Sequence, residues 1–148
     1  MQRARETAEI IAAAHGLAIT PDSRLREFRF GSWEGLSWPE IAALDPKLND
    51  ATDIIGAYAP PGGETIADVI ERWKRFQADL VRAGHRRVVV VTHAGMLHAA
   101  IRATRPLGAE AVTAGRFRFT PASLTRVRID ADGSTVTALN DSRHLEQD

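Results

Sequence analysis

Four consecutive valines at residues 88–91 stand between two stretches of helical periodicity, and no other feature constrains the fold as much. A continuous β-branched run of this length reads as a strand buried on both faces, the pattern of a parallel sheet covered by helices. The chain then continues T-H-A-G into M-L-H-A-A-I-R-A, giving a strand, a tight loop and a helix in succession. In open α/β sheets ligands gather beyond the carboxyl ends of strands, where loops meet helix N-termini. Thr92, His93, Ala94 and Gly95 fall at that place.

The remaining elements follow from periodicity and punctuation. Residues 1–16 read as a helix, with Ala4, Ala8, Ile11 and Ala12 on one face and Gly16 as its stop. L-A-I-T at 17–20 is a short strand candidate ended by Pro21 and Asp22, and R-L-R-E-F-R-F-G-S-W-E-G reads as a loop. Ser37 or Trp38 opens a short helix closed at Pro46, and residues 47–63 read as irregular through A-P-P-G-G. From Glu64 the positions Ile66, Val69, Ile70, Trp73, Phe76, Leu80 and Val81 recur at helical spacing until Gly84. Alternation in R-F-R-F-T-P, S-L-T-R-V-R-I-D and S-T-V-T-A-L-N, with A-D-G between the last two, predicts a C-terminal hairpin.

Composition narrows the function. Lysine plus arginine and aspartate plus glutamate both number 19 in 148 residues, with no concentrated basic face for nucleic acid or membrane. Cysteine is absent, which removes thiolate metal sites, disulfides and thiol redox chemistry. No leader-like apolar segment opens the chain, and a soluble, cytoplasmic single domain is expected. Its chemistry would rest on histidine, arginine and carboxylates. His93 is placed where an imidazole and the amides of Ala94 and Gly95 could meet an anion, the alternative being a strand-end histidine bound to a carbonyl. Glu27 and Glu34 lie in an aromatic loop where partial desolvation would favour general-acid duty, although spacing alone favours solvated side chains. Arg3 offers a planar fork suited to phosphate, but 17 of the 19 basic residues are arginine. His98 reads as a packed or surface residue, His15 and His85 as surface residues, and His144 as structural. For Glu64 helix capping is favoured, and for Arg72 a surface ion pair or sheet contact.

Taken in order, these segments resemble the histidine phosphatase, or phosphoglycerate mutase-like, superfamily. Q-R-A-R-E-T-A-E-I-I-A resembles its S-P-L-x-R-A-x-x-T-A, and R-L-R-E-F-R-F-G-S-W-E-G-L its L-x-E-x-x-F-G-x-W-E-G. P-G-G-E-T at 61–65 resembles P-G-G-E-S, V-V-V-V-T-H-A-G the strand ending T-H-x-G, and L-N-D-S-R-H-L the closing N-D-x-x-H-L. The resemblance implies a three-layer α/β sandwich with a mostly parallel central sheet flanked by helices. It implies phosphomonoester chemistry on a small phosphorylated metabolite through a phosphohistidine intermediate, without a cofactor or metal. Arg3 would hold the phosphoryl group, Glu27 would protonate the leaving oxygen and later activate water, and His93 would bond the phosphoryl oxygens, with Ala94 and Gly95 lining the phosphate site. Mutase-like phosphotransfer is the alternative outcome.

One family segment has no counterpart. The strand ending L-x-R-H-G-E, which carries the nucleophilic histidine, is absent, and the nearest string is G-H-R-R at 84–87. The opening helix has no start signal, and a strand at 88–91 needs neighbours that the other apolar runs do not supply. The expectation is therefore a domain spanning 1–148 that lacks the N-terminal strand-helix-strand portion, a unit of ~30 or more residues. Such a chain would be weak or inactive as a phosphatase, or a non-catalytic phosphate-binding remnant. It would be marginally stable, with homodimerisation across the exposed strand as one route to rescue.

Overall fold

The computed structural model describes residues 2–50, 54–57, 59–104, 118–130 and 133–146. Among the described residues six α-helices and one hairpin follow in order: α1 (Gln2–Ala14), α2 (Trp38–Leu44), α3 (Lys47–Asp50), α4 (Ile54–Ala57), α5 (Ile66–Ala83), α6 (Ala94–Arg102), β1 (Leu124–Asp130) and β2 (Gly133–Asp141). Short 3-10 turns at Ser23–Leu25 and Gly31–Trp33 punctuate the loop between α1 and α2.

Helix boundaries sit where local chemistry sets them. Gly16, at φ 63°, lets α1 close by two bonds, Gly16 N–H to the Ala13 carbonyl and Leu17 N–H to the Ala12 carbonyl. Thr65 caps α5 reciprocally with Asp68, whose carboxylate accepts the Thr65 amide at 2.8 Å, and Gly84 ends the helix at φ 68°. Glu40 accepts the Ser37 amide at 2.7 Å in the same way before α2.

The core forms where α5 lays Val69, Trp73 and Phe76 against Met96, Ala99 and Ala100 of α6, with Phe28 of the loop completing the cluster. The small alanines allow close approach of the two helices, and burial of this apolar surface is the main stabilising term. A second cluster joins Ile101 of α6 to Val136 of β2, with Phe119, Val127 and Leu139 packed on it. A third gathers Trp33, Ile41 and Leu48 beneath Phe30 and Leu36. The hairpin is antiparallel with Val127 opposite Val136, and irregular register at its Leu124 end.

The sheet departs from expectation. Among the described residues the only sheet is this two-stranded antiparallel hairpin, and the parallel central sheet is not formed. Residues 88–91 have no assigned strand, and Val88 and Val89 are 46% and 68% exposed, although Val90 reaches the core. A strand is a paired object, and β-branched propensity without a partner's amides and carbonyls forms no ladder. L-A-I-T at 17–20 likewise stays irregular. Two short helices, α3 and α4, occupy part of the stretch expected to be wholly irregular. Residues 116–117 of the alternating run, and 131–132 of the hairpin turn, lie outside the described residues.

The glycines of the site loop have a steric reason. A Cβ on Gly31, which sits at φ 51°, would lie 2.3 Å from the Pro61 carbonyl oxygen, and one on Gly63 would lie 2.6 Å from that of Arg29. Segments 29–32 and 61–64 thus run in backbone contact, with Ser32 N–H on the Pro61 carbonyl at 3.0 Å and Glu64 N–H on that of Arg29 at 2.9 Å. Gly84 has a similar φ but open space around its missing Cβ. Gly84→Ala should therefore cost about 1 kcal/mol in urea denaturation, the conformational term alone, and Gly31→Ala about 2–3 kcal/mol because backbone must also move. Equal losses for the two variants would contradict the close contact.

Candidate functional site

The loop carrying Glu27 has no ladder to satisfy its backbone, and side chains do so instead. Arg72, on α5, donates to three of its carbonyls: Nη1 to Arg24 and, at 3.0 Å, to Arg26, and Nη2 to Glu27 at 3.3 Å. Thr92, just before α6, donates its hydroxyl to the remaining one, Leu25, at 2.7 Å. Four successive carbonyls, 24–27, are thus taken by two side chains from neighbouring elements. Arg72 is itself fixed by Glu64 through a two-pronged ion pair, Nε to Oε1 at 2.7 Å and Nη2 to Oε2 at 3.0 Å. Glu64 Oε2 also accepts the Arg29 amide at 3.0 Å.

This pair is enclosed, with side-chain exposures of 12% for Arg72 and 9% for Glu64. Burial pushes the Glu64 carboxyl up, but the Arg72 guanidinium and the Arg29 amide outweigh it and hold the group below the ordinary carboxylate range. Two expectations are corrected here. Glu64 is not the cap of α5, a duty taken by Thr65, and Arg72 is neither a surface pair nor a sheet contact but the anchor of the loop. The signal in the sequence was the eight-residue spacing from the P-G-G-E glutamate to an arginine two turns into an amphipathic helix, which is visible only in retrospect among 17 arginines.

The anchored loop delivers Glu27 to the start of α6. Glu27 Oε1 accepts the Gly95 amide at 3.0 Å and its neighbour Phe28's amide at 2.9 Å. A Cβ on Gly95 would lie 2.5 Å from that oxygen, so any other residue there would push the carboxylate from its present seat. The Gly95 N–H, read in the sequence as a phosphate donor, is engaged by Glu27 in this structure. A carboxylate at a helix N-terminus is favoured by the dipole and by amides that have no intrahelical partner.

His93 is the residue before α6, with extended backbone, and its side chain is buried. Burial holds the imidazole below its ordinary 6.5; Glu27 opposes this and Arg3 adds to it, so both charges act on the ring through space. Arg3, on the first turn of α1, is exposed, and its guanidinium has no ion pair among the described residues. The structure therefore brings Glu27, His93, Ala94 and Gly95 together by direct bonding or chain adjacency, and Arg3 is linked to them through the effect of its charge on the His93 ring. Glu34 stands apart, bonding the Phe30 amide at 2.9 Å. His98 is buried edge-on to Phe119, and His144 Nε2 lies 3.1 Å from the Ala122 carbonyl oxygen. His15 and His85 are exposed. Among the described residues no group of three or more histidines and carboxylates is placed to hold a metal ion, and no helix is long and apolar enough to cross a membrane.

Comparison with known proteins agrees with the motif series. The sequence profile of the histidine phosphatase superfamily, branch 1, matches residues 1–142. A bifunctional protein of Mycobacterium tuberculosis is 34% identical over 148 aligned residues, covering 98% of this chain and 40% of that protein. Glucosyl-3-phosphoglycerate phosphatase of the same organism is 34% identical over 108 residues, covering 67% of this chain and 48% of the relative. The solved structure of a mycobacterial glucosyl-3-phosphoglycerate phosphatase with VO3 superimposes at a TM-score of 0.77 with 30% identity, covering 95% of this chain and 73% of that one. The chain thus spans less than half the length of these two curated relatives, and it shares the α/β fold of the solved one. By the profile match and this structural likeness together, the chain belongs to the histidine phosphatase superfamily.

Proposed function

We propose that this chain carries the phosphoryl-holding and proton-donating side chains of a phosphomonoesterase site acting on a small phosphorylated metabolite. The observation that carries the reading is the seating of the Glu27 carboxylate on the Gly95 amide at the start of α6, beside the buried His93 imidazole, on which the charges of Glu27 and Arg3 both act. Relatives named as phosphatases support it, and the solved phosphatase structures include complexes with VO3 and with inorganic phosphate.

In this reading Arg3 and the His93 N–H bond the equatorial phosphoryl oxygens, where charge accumulates as the group transfers. An imidazole kept neutral by burial in the free protein is ready to gain a proton beside an incoming dianion. Glu27, whose Oε1 is anchored by two amides, carries the proton to the leaving oxygen and later takes one from water. In the family the attacking group is the histidine of R-H-G, a string with no counterpart in these 148 residues. The proposal therefore assigns no nucleophile to this chain.

Inorganic phosphate or orthovanadate should bind the purified chain, and Arg3→Ala and His93→Ala should each weaken binding about tenfold to a hundredfold by calorimetry, the range of a charge-assisted hydrogen bond. Unaltered affinity in both variants would remove the proposed site. Turnover of an aryl phosphate by the same chain should stay at background; robust turnover lost in His93→Ala would instead make His93 the nucleophile. The His93 titration, followed by NMR, should have its midpoint below 6.5 in the free protein and move upward with phosphate bound. Because the folded state then binds fewer protons than the unfolded chain below pH 6.5, stability should fall as pH drops from 6.5 toward the folded midpoint. His93→Gln should flatten that part of the profile.

A further inference from the structure

We propose that Arg72, held by Glu64, is a positioning residue whose three-carbonyl grip on the 24–27 loop delivers the Glu27 carboxylate to the first turn of α6. Its meaning for catalysis rests on the phosphoryl-transfer reading above, but the positioning itself stands on geometry alone.

Residues 26–29 belong to no helix or strand, so nothing in regular structure sets where Glu27 points. Two bonds place its Oε1, and one of them, from Phe28, is local and would follow the loop wherever it went. The Gly95 bond is the long-range one, and it survives only if the loop stays at its present height over α6. Arg72 is the side chain that spans this height. Its guanidinium reaches carbonyls on both sides of residue 25 and that of residue 27 itself, while its other edge is bonded to Glu64. A guanidinium can do this because it offers five N–H donors in one rigid plane, whereas an ammonium presents a point charge. Glu64 in turn takes the Arg29 amide, so the loop is gripped at residues 24, 26, 27 and 29 by one ion pair. The Thr92 hydroxyl adds a tie to Leu25 from the chain leading into His93, so the two candidate catalytic groups share a mount.

Fixing a proton donor to a fraction of an ångström is a large part of what general-acid catalysis requires, and an anchor of this kind acts through Glu27 without touching substrate. A purely structural role would make a different prediction. Removing Arg72 would then lower stability throughout the molecule and leave the Glu27–Gly95 bond intact in whatever fraction remained folded.

NMR of the whole chain separates the two. An amide that donates to a carboxylate shifts as that carboxylate titrates, so Gly95 and Phe28 should share an acid-limb inflection that disappears in Glu27→Gln. In Arg72→Lys, which keeps the charge and the aliphatic stem but not the fork, the Gly95 inflection should be lost. The Phe28 inflection should persist there, and amide protection at Val127 and Val136 in the hairpin should be retained. Arg72→Gln should behave alike. A Gly95 inflection unchanged in folded Arg72→Lys overturns the proposal, and so does loss of hairpin protection in both variants, which would mark Arg72 as structural only. Titrating the unsubstituted chain with inorganic phosphate keeps the functional reading separate. Absence of phosphate binding removes that reading and leaves the Gly95 result to decide the positioning role by itself.

Discussion

The Glu64–Arg72 ion pair is the interaction on which the site depends. Buried ion pairs often add little to stability compared with an apolar replacement, because desolvation offsets the attraction. Their value lies in direction, and here every outward-facing atom is used. Glu64 satisfies Arg72 on one edge and a backbone amide on its own far side, and Arg72 turns its remaining donors onto carbonyls that no ladder would otherwise meet. The desolvation of the pair is thereby balanced by the backbone of the very loop it shapes. Removing either partner would leave a buried charge and several orphaned loop groups together.

Around this centre the three clusters play unequal parts. The α5–α6 contact sets the distance between Arg72 and the start of α6, so packing of Val69, Trp73, Met96 and Ala99 is transmitted directly to the gap between Glu27 and His93. The hairpin supports the other side of α6 through Val136 and Ile101, away from the candidate site. The contact between segments 29–32 and 61–64 brings Glu64 to the loop, which is why two glycines there lack room for a methyl group.

How much of this was legible in the sequence depends on how local each cause is. α1, α5 and α6 and the hairpin could be read because their caps and periods lie within a few residues of one another, as with Thr65, Asp68 and Gly84 around α5. Arg3, Glu27 and His93 are singled out by motifs in a known order, not by any chemistry visible in their immediate neighbours. The anchor was not legible, since Arg72 gains its role only when residues 24–27 fold against α5, 45 or more positions away in the chain. Nor was the use of the Gly95 amide, because a free helix N-terminus looks the same in sequence whether a ligand or a resident carboxylate fills it.

Residues 24–29 and 88–91 make the point from opposite directions. The valine run has the strongest strand propensity in the chain, yet it forms no ladder among the described residues. The arginine-rich loop has no secondary-structure propensity to speak of, yet all four of its successive carbonyls at 24–27 are bonded. Propensity lowers the cost of a backbone conformation but cannot satisfy the hydrogen bonds that the conformation presents; only a partner does that. A site built on side-chain partners within reach can therefore be assembled even where the adjoining sheet is not. For that reason the seating of Glu27 on the Gly95 amide does not require the valine segment to be paired, whereas in the proposal above it does require Arg72.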